Sequence, residues 1–311
     1  IEAIYKKPLK IISFRGQPIK PCLGCWNCWL KTPGRCAIKD QMAETYSAYV
    51  ISDTVILLMD TAQGFINHNA KAYLDRTIPH YHPYIEIVDG ECHHVARYER
   101  YPDLAFYYDT AGLLKQEEQV IEDYLYRTAF HFRSDAYRII NEGNLMLRPL
   151  EPRLPKNRCL PFASIQPMEK LVIYNGSPRR SRSNSGIILE KVVESLGDRV
   201  EIRDLKERDK WAHWIKAFPD DENVMFLMPL YVHAMPSHVM NFFEGLKPSA
   251  GSISFLVQSG FPESSQSHFL EAYLELLALR LKRTYLGTAI KGGVEGMQLK
   301  PLKAQERSVA P

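Results

Sequence analysis
Four of the six cysteines, Cys22, Cys25, Cys28 and Cys36, fall within fifteen residues as C-x2-C-x2-C-x7-C. Two-residue gaps let one loop wrap successive thiolates around a single centre, with Cys36 returning as a fourth ligand. In a reducing compartment such a group reads as a metal or cluster site rather than a disulfide framework. Zinc held by four thiolates and a degenerate motif holding nothing remain as alternatives, although zinc sites usually come as two separated pairs. A second stretch, LVIYNGSPRRSRSNS (171–185), suits an anion. An apolar run breaks at Asn175, Gly176, Ser177 and Pro178, and a helix opens at Asn184. Free N–H groups at a helix start, the helix dipole and the hydroxyls of Ser177, Ser181, Ser183 and Ser185 together favour a phosphate. The loop lacks the G-K-[ST] of a Walker motif and the three glycines of a dinucleotide fingerprint. A third stretch, Glu91, Cys92, His93 and His94, could bind a metal; without partners at known spacing it reads first as a solvated or substrate-facing loop.

These side chains need strands and helices to hold them. In the second half, apolar runs predict strands at 171–174, 200–205, 223–228, 252–257 and 285–290, and helices at 184–196, 210–218 and 266–282 with another inside PLYVHAMPSHVMNFFEGL (229–246). Strands alternating with helices mean a parallel sheet covered on both faces, with ligands outside the carboxyl ends of its strands. In the first half, strands are expected at 9–14, 54–59, 104–109 and 136–140, and helices at 42–51 and 116–132. Residues 1–7 read as the end of a helix. No phosphate loop precedes residue 9, so either upstream residues are missing from the chain or this half has lost its first strand. Residues 78–101, rich in Tyr, His and Pro, read as an inserted excursion, and residues 147–167, with five prolines, as a linker. The expected division is 1–146, a linker at 147–168, and 169–311. A faint repeat (AKAYLDR at 70–76 against VMNFFEG at 239–245) suggests two related halves.

The loop at 175–185 resembles the FMN-phosphate loop G-S-P-R-x-x-S-N-T of flavodoxin-like NAD(P)H-dependent FMN reductases. PLYVHAMPSHVMNFFEGL resembles their P-[IVL]-Y-x-x-x-x-P-S-x-x-K-x-F-x-[DE] segment, with Met240 where that pattern has Lys, and Ser259-Gly260-Phe261-Pro262-Glu263 resembles S-G-F-[PG]-E. The resemblance covers the second half and implies an α/β fold of two flavodoxin-like doubly wound parallel-sheet domains, the first incomplete. It implies FMN held by Ser177, Pro178, Arg179, Ser183, Asn184 and Ser185 at the phosphate. Pro229, Leu230, Tyr231 and Val232 would lie along the ring, with Ser259, Gly260 and Phe261 closing over it. The cysteine run resembles that of iron–sulfur flavoproteins, implying a [4Fe–4S] cluster on Cys22, Cys25, Cys28 and Cys36. In the first half, Asp60 and Ala62 stand where Pro229 and Tyr231 stand, so a second FMN is not expected.

The implied function is an FMN-dependent oxidoreductase taking electrons from NAD(P)H or ferredoxin and passing them to a small-molecule or protein acceptor. The flavin does the redox work, so no side chain is singled out as catalytic. The alternative is a non-enzymatic electron carrier or redox sensor. A formal charge of +3 with pI near 8.4 is too mild to argue for nucleic acid. No apolar run is long enough to span a bilayer and no signal peptide is read, so the expected compartment is the cytoplasm. A homo-oligomer, or an intrachain pseudo-dimer with the cysteine loop facing the FMN of the other half, is the expected assembly.

Overall fold
The β-branched and aromatic runs become parallel strands in the computed structural model, which describes residues 9–17, 19–140, 148–149, 170–179, 183–295 and 297. In the first half the elements are α1 (Asn27–Leu30), α2 (Ala43–Ile51), β1 (Thr54–Met59), β2 (Thr61–Ala62), β3 (Phe65–Ile66) and α3 (His68–Asp75). They continue with β4 (Tyr81–Val88), β5 (Glu91–Ala96), β6 (Asp103–Tyr108), α4 (Lys115–His131), β7 (Ala136–Ile140) and β8 (Arg148–Pro149). The second half comprises β9 (Leu171–Asn175), α5 (Asn184–Leu196), β10 (Val200–Asp204), α6 (Trp211–Ala217), β11 (Asn223–Pro229), α7 (Ser237–Gly245), β12 (Ser252–Gln258), α8 (His268–Arg280) and β13 (Thr284–Lys291).

The second sheet has the order β10-β9-β11-β12-β13, every pair parallel. Counted from β9 this is 2-1-3-4-5, the flavodoxin-like order, whose switch point lies between the first and third strands. All five residues of β9 are buried, as a strand covered on both faces requires. The first sheet runs β1-β6-β7 in parallel with β8 antiparallel at its edge. Its succession β1-α3-β6-α4-β7 repeats β11-α7-β12-α8-β13, so the faint repeat corresponds to a shared topology. The corresponding helices meet across the molecule, α3 against α7 and α4 against α8. One apolar core is continuous through them, from Phe65 and Tyr124 to Phe243 and Tyr273.

One sequence expectation changes. Segment 9–14 is not a strand: it is mostly exposed and pairs with no sheet among the described residues. Composition gives a hexapeptide the propensity for a strand, and only pairing of its N–H and C=O groups with a neighbour makes it one. The excursion at 78–101 is an antiparallel hairpin of β4 and β5. The helix end expected at 1–7, most of the linker and Ser181 lie outside the described residues.

Candidate functional site
A cavity of about 240 Å³ opens at the carboxyl edge of the second sheet, where the loops after β9, β11 and β12 converge. The loop after β9 is set by its own polar groups. Gly176 N–H donates to Leu227 O (2.7 Å), Ser177 N–H to Asn175 Oδ1 (3.1 Å), and Asn175 Nδ2 to Asp204 Oδ1 (2.9 Å). Gly176 is required by close approach, since a Cβ there would come within 2.6 Å of Val239 Cγ2. Ser183 caps α5 by accepting from Gly186 N–H (3.0 Å). The cap leaves other N–H groups of the first turn without an intrahelical partner at the cavity edge. Ser177, Ser183 and Ser185 are buried there, and the Asn184 amide oxygen is buried without a hydrogen bond among the described residues.

The loop after β11 makes a tight hairpin. Tyr231 N–H donates to Ala234 O (2.8 Å) and Ala234 N–H to Tyr231 O (3.1 Å), while Val232 and His233 take left-handed φ of 43° and 55°. The loop after β12 is tied down by Ser259 N–H to Lys291 O (2.9 Å) and Ser259 Oγ–H to Phe261 O (3.0 Å). Gln258 Nε2 crosses to Ser185 Oγ (3.1 Å), linking this loop to the first turn of α5.

The first half supplies the opposite wall. The loop bearing Cys22, Cys25, Cys28 and Cys36 lies over the other three, and all four cysteines line the same cavity. Gly24 is its contact point. Arg179 Nε donates to Gly24 O (2.7 Å), and the Arg179 guanidinium stacks 3.9 Å from the Trp26 ring. A Cβ on Gly24, whose φ is +59°, would overlap the Tyr231 hydroxyl. Every residue the resemblance implied, Ser177, Pro178, Arg179, Ser183, Asn184, Ser185, Pro229, Leu230, Tyr231, Val232, Ser259, Gly260 and Phe261, lines this cavity with the cysteines.

The cavity also gathers groups that no motif marked. His94, His131 and His233 line it. His131 packs at 4.8 Å from both His93 and His233, and His94 lies between Trp29 (4.8 Å) and Phe261 (5.2 Å). Burial holds His93 and His94 down at about 4, and His131 and His233 well below the ordinary imidazole value, so all four are neutral near pH 7. These side chains come from β5, α4 and the loop after β11, and only their positions in space join them. The 91–94 stretch does not form one site: Glu91 pairs with Arg127, the Cys92 amide donates to Glu263 Oε1 (2.7 Å), and the adjacent histidines go to different neighbours.

A flavin mononucleotide fits this site. Buried hydroxyls stand at the α5 N-terminus for a phosphate, and a slot of backbone, Tyr231 and Phe261 stands beside them for a planar ring. The cysteines are different. Burial pushes the Cys22 thiol up to about 12 and Cys28 to about 11, and no three His, Cys, Asp or Glu side chains are arranged to hold a metal ion among the described residues. As the sulfurs stand, they do not fit a cluster.

No protein-family model matches the chain, and no curated protein matches it. Among solved structures, it is similar to an NADPH-quinone reductase from P. pentosaceus (15% identity, TM-score 0.34, covering 46% of this chain and 94% of that one). It is similar to the Trp repressor binding protein from Bacillus subtilis (16%, TM-score 0.36, 45% and 96%). A third is an FMN-dependent NADH-azoreductase from Bacillus anthracis str. Ames Ancestor in complex with FMN (13%, TM-score 0.35, 46% and 94%). The fold assignment rests on the strand order itself.

Proposed function
We propose that the chain is an FMN-dependent oxidoreductase, with electrons entering from a reduced nicotinamide and leaving to a small-molecule acceptor. The observation that carries this reading is the convergence of three strand-end loops, at the switch point of a 2-1-3-4-5 sheet, on one cavity with an anion-ready helix start. Bound there, FMN would supply the hydride and single-electron chemistry. The chain's part is to bind, orient and exclude water. Ser177, Ser183, Ser185 and the first N–H groups of α5 would hold the phosphate, with Arg179 adding charge. The hairpin at 229–234 and Phe261 would bracket the ring. The cysteine loop would roof it, and neutral His94, His131 and His233 would offer N–H groups to an acceptor's oxygen or nitrogen without placing a cation in the cavity. The division into a roof (1–146), a linker (147–168) and a cofactor unit (169–311) belongs to this reading, and the α3–α7 and α4–α8 packing supports treating the halves as an internal pair.

Titration of apoprotein with FMN and with riboflavin tests it. FMN should bind much more tightly than riboflavin, and Ser183→Ala should narrow the gap by weakening FMN alone; equal affinity for both, or for neither, refutes the phosphate site. Steady oxidation of NADH or NADPH with 1,4-benzoquinone separates a reductase from an electron carrier or sensor, which would turn over slowly or only with reduced ferredoxin. A finer reading concerns the four thiols, a [4Fe–4S] cluster on Cys22, Cys25, Cys28 and Cys36. Their shared wall supports it and their present spacing does not, so no electron route is drawn through it. Iron, sulfide and visible absorbance of anaerobically purified protein decide among cluster, zinc and free thiols.

A further inference from the structure
The hairpin beside the proposed ring site is conformationally expensive. Two consecutive residues with positive φ make a type I′ turn, which favours Asn-Gly, yet here the residues are Val232 and His233. A left-handed conformation is costly for a residue with a Cβ, and a β-branched valine is an outlier there. Such strain persists only where surrounding contacts over-determine the backbone. Beyond the two Tyr231–Ala234 bonds of the turn itself, the contacts here come from the other half of the chain. Lys71 Nζ of α3 donates to Tyr231 O (2.7 Å) and pairs with Asp75 one turn later on the same helix. Asp75 Oδ2 accepts from Ser237 N–H (2.8 Å), the first residue of α7. Both charged side chains are fully buried. The pair therefore grips the segment 231–237 at both ends.

We propose that Lys71 and Asp75 are positioning residues for the flavin ring, holding the Tyr231–Val232 peptide with its N–H turned to the cavity. This rests on FMN occupying the cavity as proposed above. In a trans peptide the C=O and N–H point in opposite directions, and no peptide here is cis. With Tyr231 O drawn to Lys71, the Val232 N–H points away from α3, and Val232 lines the cavity. Without Lys71 the carbonyl keeps only the longer bond from Ala234 N–H (3.1 Å), which frees the strained turn to relax toward φ below zero and rotate the Val232 N–H out of position. The ion pair is net neutral, so its effect on the ring is through peptide orientation rather than a fixed local charge. Burial lowers Lys71 and raises Asp75, and the attraction between the two opposes both shifts.

The test is the double substitution Lys71→Met with Asp75→Asn. It removes both charges together, avoiding a lone buried ion, and the introduced asparagine retains an acceptor for Ser237 N–H. FMN and riboflavin dissociation constants are read by quenching of flavin fluorescence, with far-UV circular dichroism as the folding control. Loss of one ring hydrogen bond should weaken both ligands by the same factor, about tenfold. Binding of both within twofold of the unsubstituted protein overturns the proposal, as does a loss confined to FMN, which would place the effect at the phosphate. If the unsubstituted protein binds neither flavin, the functional reading fails and takes this proposal with it, an outcome distinct from a bound flavin indifferent to the pair. Should the double variant not fold, the unsubstituted protein still decides: riboflavin must shift the Val232 amide resonance and slow its exchange, and an unmoved resonance overturns the proposal.

Discussion

Gly24→Ala isolates the contact by which the cysteine loop roofs the cavity. The added methyl is strained twice. At φ +59° alanine costs about 1–2 kcal/mol relative to glycine, and its Cβ overlaps the Tyr231 hydroxyl. Moving the backbone to relieve that overlap breaks the Arg179 Nε–Gly24 O bond of 2.7 Å and disturbs the guanidinium over Trp26. A charged hydrogen bond is worth about 1.5–3 kcal/mol. Because Arg179 is half-buried and water replaces part of that bond, the sum is on the order of 3 kcal/mol of docking free energy. That is roughly a hundredfold increase in the open population of the loop. Hydrogen exchange with mass spectrometry reads it directly. Amides of α1, such as Leu30, whose N–H donates to Trp26 O, should exchange about a hundredfold faster in the variant, while β9 and β11 keep their protection. Unchanged α1 exchange, or faster exchange spread evenly over both sheets, would refute the docking argument.

Other expectations follow from buried groups. Arg203 donates to both Asp221 oxygens (2.5 and 3.0 Å) and to Tyr174 Oη (2.6 Å); Arg203→Met leaves the half-buried carboxylate without its counter-ion, with the Tyr174 hydroxyl (2.9 Å) still donating to it, and should cost about 3 kcal/mol in urea unfolding. His80, His93 and His94 are held at about 4 by burial, below the 6.5 of an exposed imidazole. The unfolded chain therefore binds more protons, so their contribution is complete above about pH 6.5 and is lost as pH falls toward 4; a denaturant midpoint flat across this window would contradict it. Cys25 is exposed whereas burial raises Cys22 and Cys28, so iodoacetamide at pH 8 should label Cys25 well before either, by peptide mass mapping, unless a metal holds all four.

Legibility from residues alone varies by element. The helix at 184–196 was legible to the residue, because Ser183 and Asn184 end the loop and Ile187, Ile188 and Val192 follow at helical spacing. The parallel strands were legible because a sheet covered on both faces demands continuous apolar runs. Segment 9–14 carried the same composition and pairs with no strand among the described residues, since composition sets only a propensity and pairing is decided by the tertiary structure.

Local chemistry, then, was written along the chain: an anion-ready turn after residue 174, a cysteine-rich loop and the alternation of strands with helices. What the chain's linear order could not disclose is which further side chains join the cavity or hold its walls. His131 and His233, or Lys71 and Tyr231, lie more than a hundred positions apart and meet only because α3 packs on α7 and α4 on α8. Periodicity reports the face a helix buries, but the partner of that face is chosen by the packing of the whole core. The resemblance suggested the cysteine loop over the other half's cavity, but the tertiary structure alone decided that His94 and His131 of the first half join it there and that Lys71 holds Tyr231 in its wall.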